Sequence, residues 1–410
     1  MNRFCAFAAV LVLADLSFLI GRVECRGDDP NPNFADLWDE DLEEISVPEK
    51  LVVTSGKVPS FLSGGVLVRN GPGQLRSPKR NFTWAFDGLA KLYSWTFSAT
   101  DSNDVSYRSA FVRSKTFNKT REDKKFPKMM TVGDVVPKYG PLDGIIPIHD
   151  NVNVNVWKFT DDPRRAMTLT DSVDSVNFDP VTLATEGVQT WSNDTLKSTE
   201  ISCAHPHIEP NTGGTSLINY ALAVNPMGNV TIQMYRMGKD RVRKPFGVYS
   251  KGVPFTPYIH SFSVTERYVI LLVYPTAYDM MCMILGKPMH ECMAWKGKTT
   301  KTQVVVFDLK STDPNKPPVF VTETEAFHSQ HHINAYEVPS GATGGASIVL
   351  DLCAYVSPVF WTSKYPFGDL EVMKARTSRN QVGGFGTYRR LNIQFAEDGT
   401  GSVGILDIPV

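Results

Sequence analysis

From Leu51 onward the chain is a succession of short runs of β-branched and aromatic residues, each broken by Gly, Pro, Asn or Asp. The runs Gly65 to Arg69, Val152 to Trp157, Tyr268 to Tyr274, Thr302 to Leu309 and Ala346 to Leu352 are typical. The second alternates strictly, as a strand with one buried face does; the third is continuously apolar, as a strand covered on both faces is. No segment keeps a helical period of useful length. Many short strands over several hundred residues leave a sandwich, a barrel or a propeller. Strand–turn–strand blocks recur at roughly blade length without an evident sequence repeat, and this favours a propeller.

Charge removes one class of partner. Against 42 Lys and Arg stand 43 Asp and Glu, a balance that removes the electrostatic argument for nucleic acid, which needs a basic face. A hydrophobic content of 42% in 410 residues is ample for a core. Residues 1–25 read as a secretory signal peptide: Met1-Asn2-Arg3, a largely apolar stretch from Phe4 to Ile20, then Val23-Glu24-Cys25 at the cleavage position. An N-terminal membrane anchor is the competing reading, which Asp15 in mid-stretch disfavours. Residues 26–50 are acidic and rich in Pro and Asn, an extended arm, and residues 51–410 form the β-rich domain. The sequons at Asn81, Asn118, Asn193 and Asn229 agree with a secreted or secretory-pathway glycoprotein. Cys282 and Cys292 are close enough in sequence to close a loop in an oxidising compartment, but spacing alone leaves their pairing open.

Three of the eight histidines, His328, His331 and His332, fall within five positions. His205 and His207 flank Pro206, and His260 lies in Tyr258-Ile259-His260-Ser261-Phe262. Taken singly, a histidine is more often a hydrogen-bonded structural residue than a ligand. The three blocks, however, hold similar places in the strand pattern, separated by 55 and 71 residues. In a propeller, equivalent positions on successive blades converge on the axis, where imidazoles can share a divalent metal. His149 and His290 lack that context and read as surface or loop residues. Met280, Met281, Met283, Ile284 and Leu285, with Met289 and Met293 beyond, form a flexible apolar stretch. It suits either contact with lipid or a lipophilic ligand, or a plug beneath a loop.

These blocks resemble the iron-binding blocks of the carotenoid cleavage oxygenases. Arg69-Asn70-Gly71-Pro72-Gly73, Phe86-Asp87-Gly88, Asn151 to Val156 and Asp179 to Leu183 are similar to further family blocks. The resemblance runs from about Val52 to the end. It implies an all-β, seven-bladed propeller, about two blades short in this chain, with non-haem Fe(2+) held by histidines. His205, which directly precedes a Pro, His260, and His331, three residues before Asn334, match three of four ligands. The fourth lies in a C-terminal block with no counterpart here. Asp171 stands where relatives orient a ligand histidine with a Glu. Trp84 replaces a usual His. Met280 to Leu285 fall where relatives carry a membrane-binding, substrate-access patch. The implied reaction is O2-dependent cleavage of a carotenoid double bond to retinal-type aldehydes. A carotenoid- or retinoid-binding protein without turnover, and a retinoid isomerase, are the alternatives.

Overall fold

The computed structural model describes residues 39–101, 103–140, 143, 148–172, 174–189, 201–225, 227–250, 252–253, 255–339, 345–358, 368–374 and 386–408. The signal-peptide reading, the first part of the acidic arm and Asn193 lie outside them. Among the described residues, no helix is long and apolar enough to cross a membrane.

Five antiparallel sheets follow one another along the chain. The first has Val66–Gln74 at one edge, then Leu89–Phe97, Val105–Phe111 and Glu49–Leu51. The second runs Asn155–Lys158, Ala166–Leu169, Ser175–Phe178, Thr185–Val188. The third opens on the split edge Ile201–Ser202 and His207–Ile208, then Leu217–Val224, Val230–Met237 and Arg243–Tyr249. The fourth is Ser263–Val264, Tyr268–Val273, Thr302–Asp308, Phe320–Thr324; the fifth is His332–Val338, Ala346–Ala354, Thr387–Phe395, Gly401–Ile408. This is an all-β architecture of the propeller type.

The central strand of the fourth sheet shows why a continuous apolar run was needed. All six residues of Tyr268–Val273 are buried. Val269, Leu271 and Val273 pack with Ile218, Tyr220 and Met234 of the third sheet. Their alternates, Tyr268, Ile270 and Leu272, pack with Ile348, Leu350 and Leu391 of the fifth. Successive side chains of a strand point to opposite faces, so one strand feeds two cores. Each such side chain contributes about 1.5–3 kcal/mol on burial. Leu92 and Phe178 share a core between the first and second sheets, and Phe159, Met167 and Tyr235 one between the second and third.

Two expectations need correction. The alternating run at Val152 to Trp157 is a strand only from Asn155. Asn151 and Asn153 instead donate their side-chain amides to the carbonyls of residues 86–88, which competes with strand pairing. Helix is also present: Lys115–Asp123 is α-helical, capped by the Ser114 hydroxyl accepting from Phe117 N–H. The Met-rich stretch is helical over Met280–Ile284, capped by Asp279.

The described part of the acidic arm lies along the first sheet. Glu40 accepts the N–H groups of Leu75 and Arg76, and Glu44 accepts from Phe111 N–H and Arg113. The ammonium of buried Lys91 bonds to the carbonyls of Asp41 and Glu43.

Candidate metal centre

The leading edges of the third, fourth and fifth sheets carry one histidine each. His205 sits where Pro206 splits the third sheet's edge. His260 comes just before Ser263–Val264, and His331 just before His332–Val338. The blocks are tied together by buried and part-buried hydrogen bonds. Tyr220 donates its hydroxyl to the Ile259 carbonyl. The Cys203 thiol donates to the His260 carbonyl at 2.8 Å and accepts from His205 N–H at 3.2 Å; burial pushes that thiol's pKa well up, so it stays a donor. Ser261 Oγ donates to the Gln330 carbonyl at 2.8 Å and accepts from His332 N–H at 3.1 Å, framing His331.

The three imidazoles meet. One ring nitrogen from each of His205, His260 and His331 lies within 4.8 Å of the others, and Nε2 of His205 is 3.0 Å from Nε2 of His260. Donors about 2.1 Å from a shared ion and at right angles stand about 3.0 Å apart, so this pair has the spacing of neighbouring ligands. Asp171, after the second sheet's Ala166–Leu169, reaches His260 Nδ1 with Oδ2 at 2.7 Å and accepts Ala204 N–H with Oδ1 at 3.1 Å. Accepting the Nδ1 proton leaves the His260 Nε2 lone pair facing the cluster. Asp171, a methylene shorter than Glu, therefore spans the gap. Burial, and then His260 nearby, lower the pKa of His205 and of His331 to about 4. At neutral pH both are the uncharged form that binds metal. The donor set fits a divalent transition metal.

Four of the remaining five histidines are hydrogen-bonded elsewhere. His207 Nε2 bonds the Phe262 carbonyl at 2.8 Å. His332 is held by Ser263 Oγ at 2.7 Å and Tyr274 Oη at 2.9 Å. His328 is fully buried, with Thr276 Oγ1 at Nδ1 and Tyr258 stacked against its ring. His290 is not a bare surface residue: it stacks on Trp84 at 11° between planes and bonds the Val132 carbonyl. Asp134, His290 and Glu291 also bring donors within 4.8 Å of one another, but Lys138 and Lys287 sit beside the two carboxylates. His149 lies in a loop, as expected, and that loop is part of a cavity wall.

That cavity has a volume of about 690 Å³ and His205, His260 and His331 on its lining. Phe86, Met130, Val132, Tyr278 and Met289 give it an apolar side. Asp87 braces this wall, its carboxylate accepting Val132 N–H at 2.6 Å and Gly133 N–H at 2.9 Å. The Met-rich segment is neither plug nor patch throughout. Met283 is buried with Trp84, Tyr258 and Tyr278, whereas Met281 and Leu285 are 64% and 73% exposed. A disulfide joins Cys282 to Cys292 across this segment, and Met289 N–H bonds the Thr131 carbonyl of the facing wall.

Several relatives share this sequence pattern. Human β,β-carotene 15,15'-dioxygenase is 27% identical over 346 residues, 78% of this chain and 59% of that protein. The carotenoid isomerooxygenase of Galleria mellonella is 26% identical over 338 residues, 76% of this chain and 60% of that one. The chain thus spans about three fifths of the length of these curated relatives. Among solved structures, cobalt-substituted Synechocystis ACO superposes with a TM-score of 0.67 at 18% identity, covering 91% of this chain and 72% of that one. An ACO/RPE65 chimera gives 0.67 at 18%, covering 91% and 72%. The profile of the family described as RPE65, retinal pigment epithelial membrane protein, matches residues 40–404. With that match spanning nearly all the described sheets, the chain belongs to the retinal pigment epithelial membrane protein family, which includes the carotenoid oxygenases.

Proposed function

We propose that this chain is the metal-binding part of a non-haem Fe(2+) dioxygenase that cleaves a carotenoid double bond into two aldehydes of retinal type. His205, His260 and His331 are the ligands, and Asp171 orients His260. The observation that carries the reading is the convergence of three imidazoles from three sheets on the lining of one largely apolar cavity. The names of the carotenoid dioxygenase and isomerooxygenase relatives support the substrate class. Bound ferrous iron supplies the means of activating O2, which imidazole ligation with open positions allows. The chain's own residues do the rest. Asp171 keeps the His260 proton on Nδ1, the Cys203 and Ser261 bonds fix the blocks in register, and the apolar wall holds a polyene away from bulk water. The stoichiometry closes with both oxygen atoms of O2 in the two carbonyl groups that replace the C=C bond.

We also propose a secretory-pathway location with peripheral membrane contact. The Cys282–Cys292 disulfide suits an oxidising compartment. Asn81, Asn118 and Asn229 are exposed, and Met281 and Leu285 offer apolar surface beside the cavity wall.

The test is iron content of the purified protein together with O2-dependent loss of carotenoid absorbance. Near-stoichiometric iron and bleaching under O2 but not argon are expected. His260→Ala should lose its iron, and an unchanged iron content in that variant would sink the ligand assignment. Iron-free protein that binds carotenoid without bleaching it would favour the binding-protein alternative.

A further inference from the structure

Away from the three histidines, the wall segment of residues 131–134 meets the Met-rich segment at a second cluster of side chains. Met289 N–H bonds the Thr131 carbonyl at 2.8 Å, and His290 N–H bonds the Val132 carbonyl at 3.1 Å. A ring nitrogen of His290 and one carboxylate oxygen each from Asp134 and Glu291 lie within 4.8 Å of one another. His290 Nδ1 is 2.9 Å from the Val132 carbonyl, which can only accept, so Nδ1 is the donor. The neutral ring then carries its lone pair on Nε2, the arrangement by which a backbone carbonyl orients a ligating imidazole. Stacking on the buried Trp84 limits the rotation of this ring. Among the described residues neither carboxylate accepts a hydrogen bond. Their ion-pair partners, Lys138 and Lys287, stand 3.6 and 3.7 Å away, beyond hydrogen-bond length. Exposed pairs of that kind hold little.

We propose that Asp134, His290 and Glu291 form a second metal site, for a divalent ion of the zinc class, that joins the two wall segments. One imidazole with two carboxylates suits zinc or a similar transition ion, whereas calcium takes about six to eight oxygen ligands. Three protein ligands leave the fourth tetrahedral position to water. Donors about 2.1 Å from a tetrahedral ion stand about 3.4 Å apart, and rotation of the exposed Glu291 side chain closes any excess. A doubly charged ion replaces two weak contacts, and both lysines are free to swing outward, with side chains 77% and 59% exposed. Thr131 and Val132 line the cavity on one side of the join and Met289 on the other, so the ion holds this part of the wall together. The Cys282–Cys292 disulfide, beside Glu291, already ties the Met-rich segment to itself. The site shares no residue with the three-histidine centre and does not rest on the reaction there.

The experiment is zinc uptake by the purified full chain after dialysis against zinc chloride, read as bound metal per chain. Wild type is compared with Asp134→Asn, Glu291→Gln and His260→Ala. The two carboxylate variants keep side-chain size, whereas His290→Ala would also remove the stack on Trp84. Wild-type protein should take up zinc, Asp134→Asn and Glu291→Gln should each lose one equivalent of it, and His260→Ala should keep that equivalent. Zinc should also raise the melting temperature of His260→Ala protein, since an ion bound only by the folded chain stabilises it. The double variant with Glu291→Gln should show no such rise. Absence of zinc uptake by the wild type, uptake that either carboxylate variant retains in full, or uptake abolished by His260→Ala overturns the assignment. None of these results bears on O2-dependent bleaching, so the proposed function stands or falls by its own test.

Discussion

Asp171 shows how much one carboxylate can settle at the residue scale. It joins the second sheet to the third through Ala204 N–H and to the fourth through His260. Asp171→Ala should therefore lower metal affinity by about 10–100-fold, the usual effect of removing a partner behind a ligating histidine. Competition with a chelator measures this, and an unchanged affinity would show that His260 is oriented by packing alone. The choice of His205 over His207 and of His331 over His332 rested on resemblance. The physical reason lies in the partners: His207 is taken by Phe262, and His332 by Ser263 and Tyr274. That the His149 loop borders a cavity was not legible, because neither its neighbours in sequence nor its spacing show it.

Among the elements, the wall segment of residues 129–133 depends on close approach. A Cβ on Gly133 would lie 1.8 Å from Trp84 Cδ1, and the Trp84 ring is stacked on His290. Gly133→Ala should destabilise the protein by about 1–3 kcal/mol, the range for overpacking a core. Combining it with Trp84→Ala should cost less than the sum of the single changes, since the clash partner is gone. Denaturant midpoints of the four proteins decide this, and simple additivity would place the strain elsewhere. The helix Lys115–Asp123 escaped sequence reading because it is only nine residues long and amid strands, although Ser114 three residues before Phe117 is a capping signal. The early half of the Val152 run failed as a strand because its asparagines had better partners in another loop.

Over the whole molecule, buried neutral histidines tie folding to pH. Burial lowers the pKa of His328 and His332 to about 3, and that of His205 and His331 to about 4, from an ordinary 6.5. The unfolded chain takes up those protons first, so stability falls as pH drops from about 6.5 towards 4. Asp87 opposes this: burial raises its carboxyl to about 7 from 3.8, against the pull of two backbone N–H groups, so its contribution weakens the fold as pH rises through that window. Four sites against one leave the histidines in control, with a loss on the order of a few kcal/mol per pH unit near pH 5. The melting temperature of metal-free protein should drop steeply between pH 6.5 and 4.5. A flat profile would mean that these imidazoles are not buried neutral.

What the sequence determined by itself is the class of the fold and a short set of candidate metal-binding histidines. Alternation and continuity of apolar side chains are local properties, readable wherever a strand must face one core or two, as in Tyr268–Val273. The tertiary structure alone decided which imidazole nitrogens come together, that Asp171 reaches His260, and that His149 borders the cavity. Those depend on how sheets far apart in sequence stack against one another, and stacking is set by the summed packing of many side chains, none of which encodes the contact alone.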